Sequence, residues 1–345
     1  MKETLTDANF PRTADLRVYH LGLRPGEVAN RIVTVGSPSR ARTVAGHFDA
    51  SPKPFELASE RGFLTITGRY QGTPISVVSI GMGHPNVDFF VREVRESLSG
   101  DMLIIRLGSC GGLIDVPVGS VVVPKQSIAV ERNLDFNFFE PEGSAEEPYR
   151  FSKPAMADEE LYNQVYKSLL AAKPAPTDSD KTVVVNECSN ASADSFYSSQ
   201  GRQTSFPDQN ENLIERLQAT VPDLATFEME TFWIFHLAAC WSARARKQNQ
   251  TTSPRVPLAT SPVSVDLTKT GSIQSVSSPL AGRDTVIRAA SAQMIFAARN
   301  SRDFITPEQV LVLEEWTAKG VLDALVAMNI PQNREHPAEN SVWVL

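Results

Sequence analysis

Three clusters in the sequence combine residue types that can hold and cleave a small polar molecule. The first is Ile104-Ile105-Arg106-Leu107-Gly108-Ser109-Cys110-Gly111-Gly112. An apolar run from Met102 to Ile105 leads directly into an arginine and then a Gly/Ser-rich stretch that reads as a turn. Continuous apolar runs are the pattern of buried parallel strands. A guanidinium at the end of one is costly unless a negative group meets it. That group is either a phosphate-like anion or an internal carboxylate. Gly36-Ser37-Pro38-Ser39-Arg40 also follows a short apolar run and joins glycine and hydroxyls to an arginine. Two arginines outside the carboxyl ends of neighbouring strands are suited to clamping a phosphate through charge-assisted, bidentate bonds.

The second cluster is Phe196-Tyr197-Ser198-Ser199-Gln200-Gly201-Arg202. Phe196 offers a face for stacking, Gln200 a donor and an acceptor, and Arg202 fixed parallel donors. This set suits the amide edge of a pyrimidine. It equally describes a loop aromatic packed on the core beside two solvated polar residues. The third cluster, Thr226-Phe227-Glu228-Met229-Glu230, reads as the opening of a long helix from Ala225 to about Ala245. Acids in a first turn meet the helix dipole favourably, which accounts for one of them. Glu230 is also of the type to accept hydrogen bonds from a ribose diol, with Met229 against the sugar.

Other reactive groups lack companions. Cys110, Cys188 and Cys240 have no paired spacing for a disulfide framework or a zinc site. Cys110 as a nucleophile would need an adjacent base. The histidines His20, His47, His84, His236 and His336 show no metal spacing, and His236 on its apolar helix reads as a core residue. No metal is expected.

These groups must be positioned by alternating strands and helices, which points to an α/β fold. Strands are predicted at 31–35, 63–67, 75–80, 102–107, 120–124, 182–185 and 294–298. Helices are predicted from Asn86, as its cap, to about Leu98, from about Asp158 to Ala172, and from Pro307 to Met328 with proline in the first turn. Residues 247–281 are rich in Ser, Thr and Pro and read as a surface insertion. The expected organisation is an N-terminal segment (1–17), one domain (18–330) carrying that insertion, and a polar tail (331–345).

The chain of 345 residues has a net charge of −7, which argues against a nucleic-acid surface. No stretch is long and apolar enough to span a membrane, and residues 1–12 are polar. A cytoplasmic protein with no membrane or nucleic-acid partner is expected.

In order along the chain, these residues resemble the uridine phosphorylases of the nucleoside phosphorylase-I family, most closely the eukaryotic type. The anchors are His20-Leu21-Gly22, Gly36 to Arg40, Arg61, Gly81-Met82-Gly83, Ile105 to Gly112, Phe196 to Arg202, Glu228-Met229-Glu230 and Arg299. The resemblance implies a central mixed sheet, a distorted barrel, flanked by helices. It implies reversible phosphorolysis of uridine to uracil and α-ribose 1-phosphate, with phosphate as co-substrate and no cofactor. Gly36, Arg40, Arg106 and Ser109 would hold phosphate, with Arg61 reaching it from a neighbouring subunit. Met229 and Glu230 would hold ribose, and His20 its 5′-hydroxyl across the dimer. Phe196, Gln200 and Arg202 would hold uracil, with Arg299 near the base. The catalytic burden would fall on Arg106, Arg202 and Glu230. Shared sites would require a homodimer or a larger homo-oligomer. Gly62 and Asn86 replace ligands of the monovalent cation that bacterial members bind, so a potassium site is doubtful. Alternatives are a broader phosphorylase accepting deoxyuridine, thymidine or purine nucleosides, and a non-catalytic nucleoside-binding protein.

Overall fold

In the computed structural model, which describes residues 4–175, 181–248, 282 and 284–344, strands and helices alternate along the chain. The strands are β1 (Leu5–Thr6), β2 (Arg12–Thr13), β3 (Arg31–Val35), β4 (Phe55–Ala58), β5 (Leu64–Tyr70), β6 (Thr73–Ser79), β7 (Met102–Gly112), β8 (Val121–Arg132), β9 (Tyr149–Phe151), β10 (Ala155–Met156), β11 (Val184–Ala193), β12 (Leu224–Glu228) and β13 (Ile287–Ala298). The helices are α1 (Pro38–Ala45), α2 (His84–Glu96), α3 (Glu159–Ala172), α4 (Leu213–Thr220), α5 (Thr231–Gln248) and α6 (Pro307–Ala327).

Strand β7 pairs with β13, β13 with β8, β8 with β11, β11 with β12, and β12 returns to β7, closing a mixed five-stranded barrel. One residue from each strand fills it: Cys110, Val122, Cys188, Ala225 and Ile295. On the other side of β7 the sheet continues through β3, β6, β5 and β4. The alternation of side chains along β3 and β7 splits the remaining core. Val33, Ile105 and Leu107 face α1, α3 and α6. Ile32 and Ile104 face α2 and α5. The central mixed sheet and distorted barrel expected from the sequence are what the chain forms.

The Gly/Ser-rich stretch after Arg106 is not a turn. It continues β7 to Gly112, paired with β13 along its whole length. Its glycines serve close packing instead. A Cβ on Gly108 would stand 2.5 Å from Gln293 Oε1, and one on Gly112 would stand 3.0 Å from Ile295. At Arg106 the partner on one side changes. Strand β3 leaves β7 at the Thr34–Arg106 pair, and β12 joins at Phe227–Gly111. Between them the edge of β7 just past Arg106 is buried but has no strand partner on that side among the described residues.

Two other expectations are corrected. Residues 224–228 form β12 rather than the start of a helix, and α5 begins only at Thr231. Helix α2 starts at His84 with Pro85 in its first turn, and Gly83, not Asn86, precedes it with φ 89°. The Asn86 amide turns back to the Met82 carbonyl at 3.3 Å. Helix α6 does begin at Pro307, behind a reciprocal cap between Thr306 and Gln309.

The insertion expected at 247–281 lies, from residue 249 onward, outside the described residues. The stretch after α6 is tied to the body. Arg334 binds Asp101 at 2.6 Å, and Trp343 is buried, its carbonyl accepting from Arg69 at 2.8 Å. No helix among the described residues is long and apolar enough to cross a membrane.

Replacing Gly108 by Ala is expected to destabilise the protein by about 1–3 kcal/mol through overpacking against Gln293. A denaturant midpoint equal to that of the parent chain would refute the close-packing role.

Candidate active site

The strand exchange beside β7 places Arg106 under the first turns of α2 and α5. Its guanidinium is buried, and Nη2 donates to Glu230 Oε2 at 2.8 Å. Glu230 Oε1 accepts from the Gly83 N–H at 2.6 Å. Gly83 sits in the left-handed region that favours glycine, and this aims its N–H at the carboxylate. Of the two readings the sequence left open for Arg106, an internal carboxylate is therefore present. It satisfies only part of the group: Arg106 Nε and Nη1 are buried with no partner among the described residues. A Cβ on Gly36 would stand 3.7 Å from Arg106 Nη2, so bare backbone flanks the guanidinium.

Arg40 approaches from α1. It is buried, its Nε donates to Glu314 Oε1 on α6 at 2.7 Å, and its guanidinium lies 5.4 Å from the Phe296 ring. Burial pushes its pKa down, opposed by Glu314, and the nearby Arg106 charge adds to the lowering. Two cations thus lie near one another, where β3 ends beside the middle of β7. Ser109 lies on the part of β7 that runs past β3 and is half-buried.

Glu228 anchors this arrangement from below. Its Oε2 accepts the backbone N–H groups of Glu230 and Thr231 at 2.8 and 3.0 Å, and its Oε1 accepts from Asn190 at 2.7 Å and from the Ser192 hydroxyl. The carboxylate closes the start of α5 by direct bonds from the end of a strand, rather than sitting in the helix's first turn. Burial and the adjacent Glu230 push its pKa up. Thr231 in turn accepts from Gln293 at 2.6 Å. Met229 is half-buried, with its methyl group 3.9 Å from the Cβ position of Gly83.

A second group forms around the 3₁₀ turn Ser198–Gln200. Gln200 is buried, while Phe196 is 45% exposed. The Arg202 guanidinium lies 4.2 Å over the Phe196 ring, its Nε donates to the Phe196 carbonyl at 3.1 Å, and its Nη2 lies 3.4 Å from Gln200 Oε1. Arg299 follows β13, with its N–H on the Gly112 carbonyl at 2.9 Å. Its guanidinium donates to the carbonyls of Gln200 and Gly201 at 3.1 and 3.4 Å. Arg299 therefore braces the turn that carries Gln200 and Arg202. Burial, with Arg202 nearby, pushes its pKa down to about 10.

His20 and Arg61 stand in a third group. His20 Nδ1 hydrogen-bonds Glu93 at 2.6 Å, and its ring stacks on Phe89 at 3.8 Å. Glu93 also accepts the backbone N–H groups of His20 and Leu21. Arg61 is exposed, hydrogen-bonded to the Tyr19 hydroxyl and 4.7 Å from its ring.

The supporting acids Glu93 and Glu314 and the N–H of Gly83 were not assigned from sequence. Glu314 lies 274 positions from Arg40, and nothing local marks it. Among the described residues no group of three or more His, Cys, Asp or Glu side chains is placed to hold a metal. Cys110 is buried inside the barrel, and desolvation raises its thiol pKa well above the usual range, which removes the thiolate a nucleophile requires. Cys110→Ala is expected to keep activity within about twofold, because the thiol is not the reactive group. A loss of a hundredfold with the fold intact would return Cys110 to the chemistry.

Comparison with known proteins fits this architecture. A uridine phosphorylase of Thermococcus kodakarensis is 31% identical over 250 residues, 71% of this chain and 80% of that protein. A structure from a study of two diverse uridine phosphorylases in the oomycete Phytophthora capsici shares 36% identity and a TM-score of 0.76, covering 95% of this chain and 100% of the other. A Trypanosoma brucei nucleoside phosphorylase, described as showing uridine phosphorylase activity, has a TM-score of 0.66 at 20% identity over 92% of this chain and 100% of its own, a likeness of fold alone. A DeoD-type purine nucleoside phosphorylase of Oceanobacillus iheyensis is 37% identical over 105 residues, 30% of this chain and 43% of that protein. The sequence profile of the phosphorylase superfamily matches residues 30–245, a span that holds Gly36, Arg40, Arg106 and Glu230, and this chain belongs to that superfamily.

Proposed function

We propose that this protein is a uridine phosphorylase, a pentosyltransferase that uses phosphate to release uracil from uridine. The observation that carries the reading is Arg106, a buried guanidinium with two nitrogens still unpartnered, beside the Gly36 backbone and Arg40. A phosphate fits that need by chemistry: its oxygens accept bidentate bonds and its charge offsets two desolvated cations.

In this reading Gly36, Arg40, Arg106 and Ser109 hold phosphate below the ribose. Glu230, already fixed by Gly83 and Arg106, accepts from the ribose diol, and Met229 packs on the sugar. The C1′–N1 bond breaks through an oxocarbenium-like state, and the bonding pair leaves with uracil. A phosphate oxygen, held close to the developing cation, stabilises it and then bonds to C1′. Negative charge grows on uracil, where Arg202 and Gln200 donate to it more strongly as it develops. Uracil reaches the Phe196 face only when the Arg202–Phe196 contact opens. Phosphate is the nucleophile, so the step needs no side-chain nucleophile.

His20 and Arg61 sit on a separate group, with Arg61 exposed, which supports a site completed by a second copy of the chain. The reading extends to one catalytic domain over about 18–330, a homodimer or larger assembly, a role in pyrimidine nucleoside salvage, and a cytoplasmic setting. Arginine at 299, bracing the base turn, favours a pyrimidine over a purine substrate.

The direct test is cleavage of uridine, thymidine, inosine and adenosine with and without phosphate. Phosphate-dependent release of uracil, with uridine preferred, is expected. Cleavage independent of phosphate, or a preference for inosine, would overturn the assignment. Arg106→Ala is expected to lower the rate by at least about 10²–10³, the scale for losing one preorganised donor. Near-normal activity would remove Arg106 from the phosphate site. Arg202→Ala is expected to raise the uridine KM and lower kcat together, because one group serves both base binding and leaving-group stabilisation. A change in KM alone would confine it to binding.

A further inference from the structure

A cavity of about 420 Å³ opens between the C-terminal half of α2 and α5, sharing no residue with the groups around Arg106, Arg202 or His20. Its apolar wall includes Phe10, Val91 and Leu237. Its polar wall is cationic. Arg95 on α2 is 2% exposed, and its Nη2 donates to the Leu98 carbonyl, but Nε and Nη1 have no partner among the described residues. Arg244 on α5 also has two buried nitrogens without a partner among those residues. Both guanidinium groups lie against Trp241, at 5.4 and 3.9 Å from its ring.

Among the described residues no acid hydrogen-bonds the open nitrogens of these two arginines, although the charges of Glu96 and Asp101 act on Arg95 and that of Glu96 acts on Arg244. Glu96, in the lining, is paired with Arg12 at 3.1 Å. Arg92, also in the lining, is paired with Asp88 at 2.7 Å. Burial pushes the Arg95 pKa down to about 10, which leaves it charged at neutral pH. A buried cation with open donors is costly, and the cavity has the size of a small-molecule site. The sequence places His236 in the core, yet the structure leaves it exposed on this cavity, with Cys240 Sγ 3.6 Å from its Nε2. Among the described residues, this face of α5 lines the recess.

We infer that this cavity is a second ligand site, which takes a small organic anion: a carboxylate or phosphate monoester head on Arg95 and Arg244, and an apolar body along Phe10, Val91 and Leu237. The site stands apart from the reaction site and does not depend on the activity proposed above.

Titration calorimetry with phenyl phosphate and with benzoate, on the full chain, tests the inference. At least one probe is expected to bind the parent chain, and the tighter one identifies the head group. Arg95→Met and Arg244→Met are each expected to weaken binding about tenfold or more, the loss of a charge-assisted bond. Arg106→Ala is expected to leave benzoate binding unchanged. Arg95→Met removes a buried charge at similar volume and is expected to keep uridine cleavage; should it fail to fold, Arg244→Met and Arg95→Lys carry the comparison. No binding of either probe, or binding untouched in the Arg95 and Arg244 variants, would overturn the site. So would sedimentation showing that these variants break an assembly while neither probe binds, since the recess would then be a contact between copies.

Discussion

The structure depends on a buried cation held by one carboxylate. Arg106 and Glu230 meet where β3 leaves β7 and β12 has yet to join. Such a pair is not kept for stability, because desolvation offsets most of its attraction, while losing one partner is severe. It is better understood as geometry. Glu230 is fixed by Arg106 and Gly83, and the next residues, Thr231 onward, are fixed by Glu228 through their N–H groups. The pair thus ties a barrel strand to the starts of two helices. It leaves Arg106 with two open donors beside the point where β3 leaves β7.

Cations gather in two groups, one beside Arg106 and one at the Ser198–Gln200 turn. Arg40 is restrained by Glu314, and Arg202 and Arg299 lie close enough to Gln200 to share its turn. Burial lowers the pKa of Arg40, Arg202 and Arg299. Each gains when an anion or a developing negative charge arrives. Such preorganised positive charge suits the phosphate and the departing base of the proposed reaction.

Much of this was legible in the chain. Residues 102–107 read as a buried strand because every position is apolar until Arg106, and α6 was marked at its start by Pro307. The clusters carrying Arg106, Arg202 and Glu230 were visible because polar groups interrupt apolar runs. What misled was glycine. Gly108, Gly111 and Gly112 look like a turn, but Gln293 and Ile295 crowd Gly108 and Gly112 from the adjoining strand. Residues 224–228 looked helical because β12 is short, wholly buried and followed at once by α5. The partners that tune the site, Glu314 for Arg40 and Glu93 for His20, come from distant helices, and only the closed fold brings them in.

The central claim is that Glu230 pairs Arg106 and leaves it capacity for an anion. The most direct measurement is the thermal midpoint of Glu230→Gln, beside the parent chain, with and without inorganic phosphate. Removing one partner of a buried pair typically costs about 3–5 kcal/mol. The account predicts a midpoint depressed by several degrees in phosphate-free buffer and largely restored by millimolar phosphate, with a smaller phosphate response in the parent. An undiminished midpoint, or a depressed one that phosphate leaves unchanged, would contradict it.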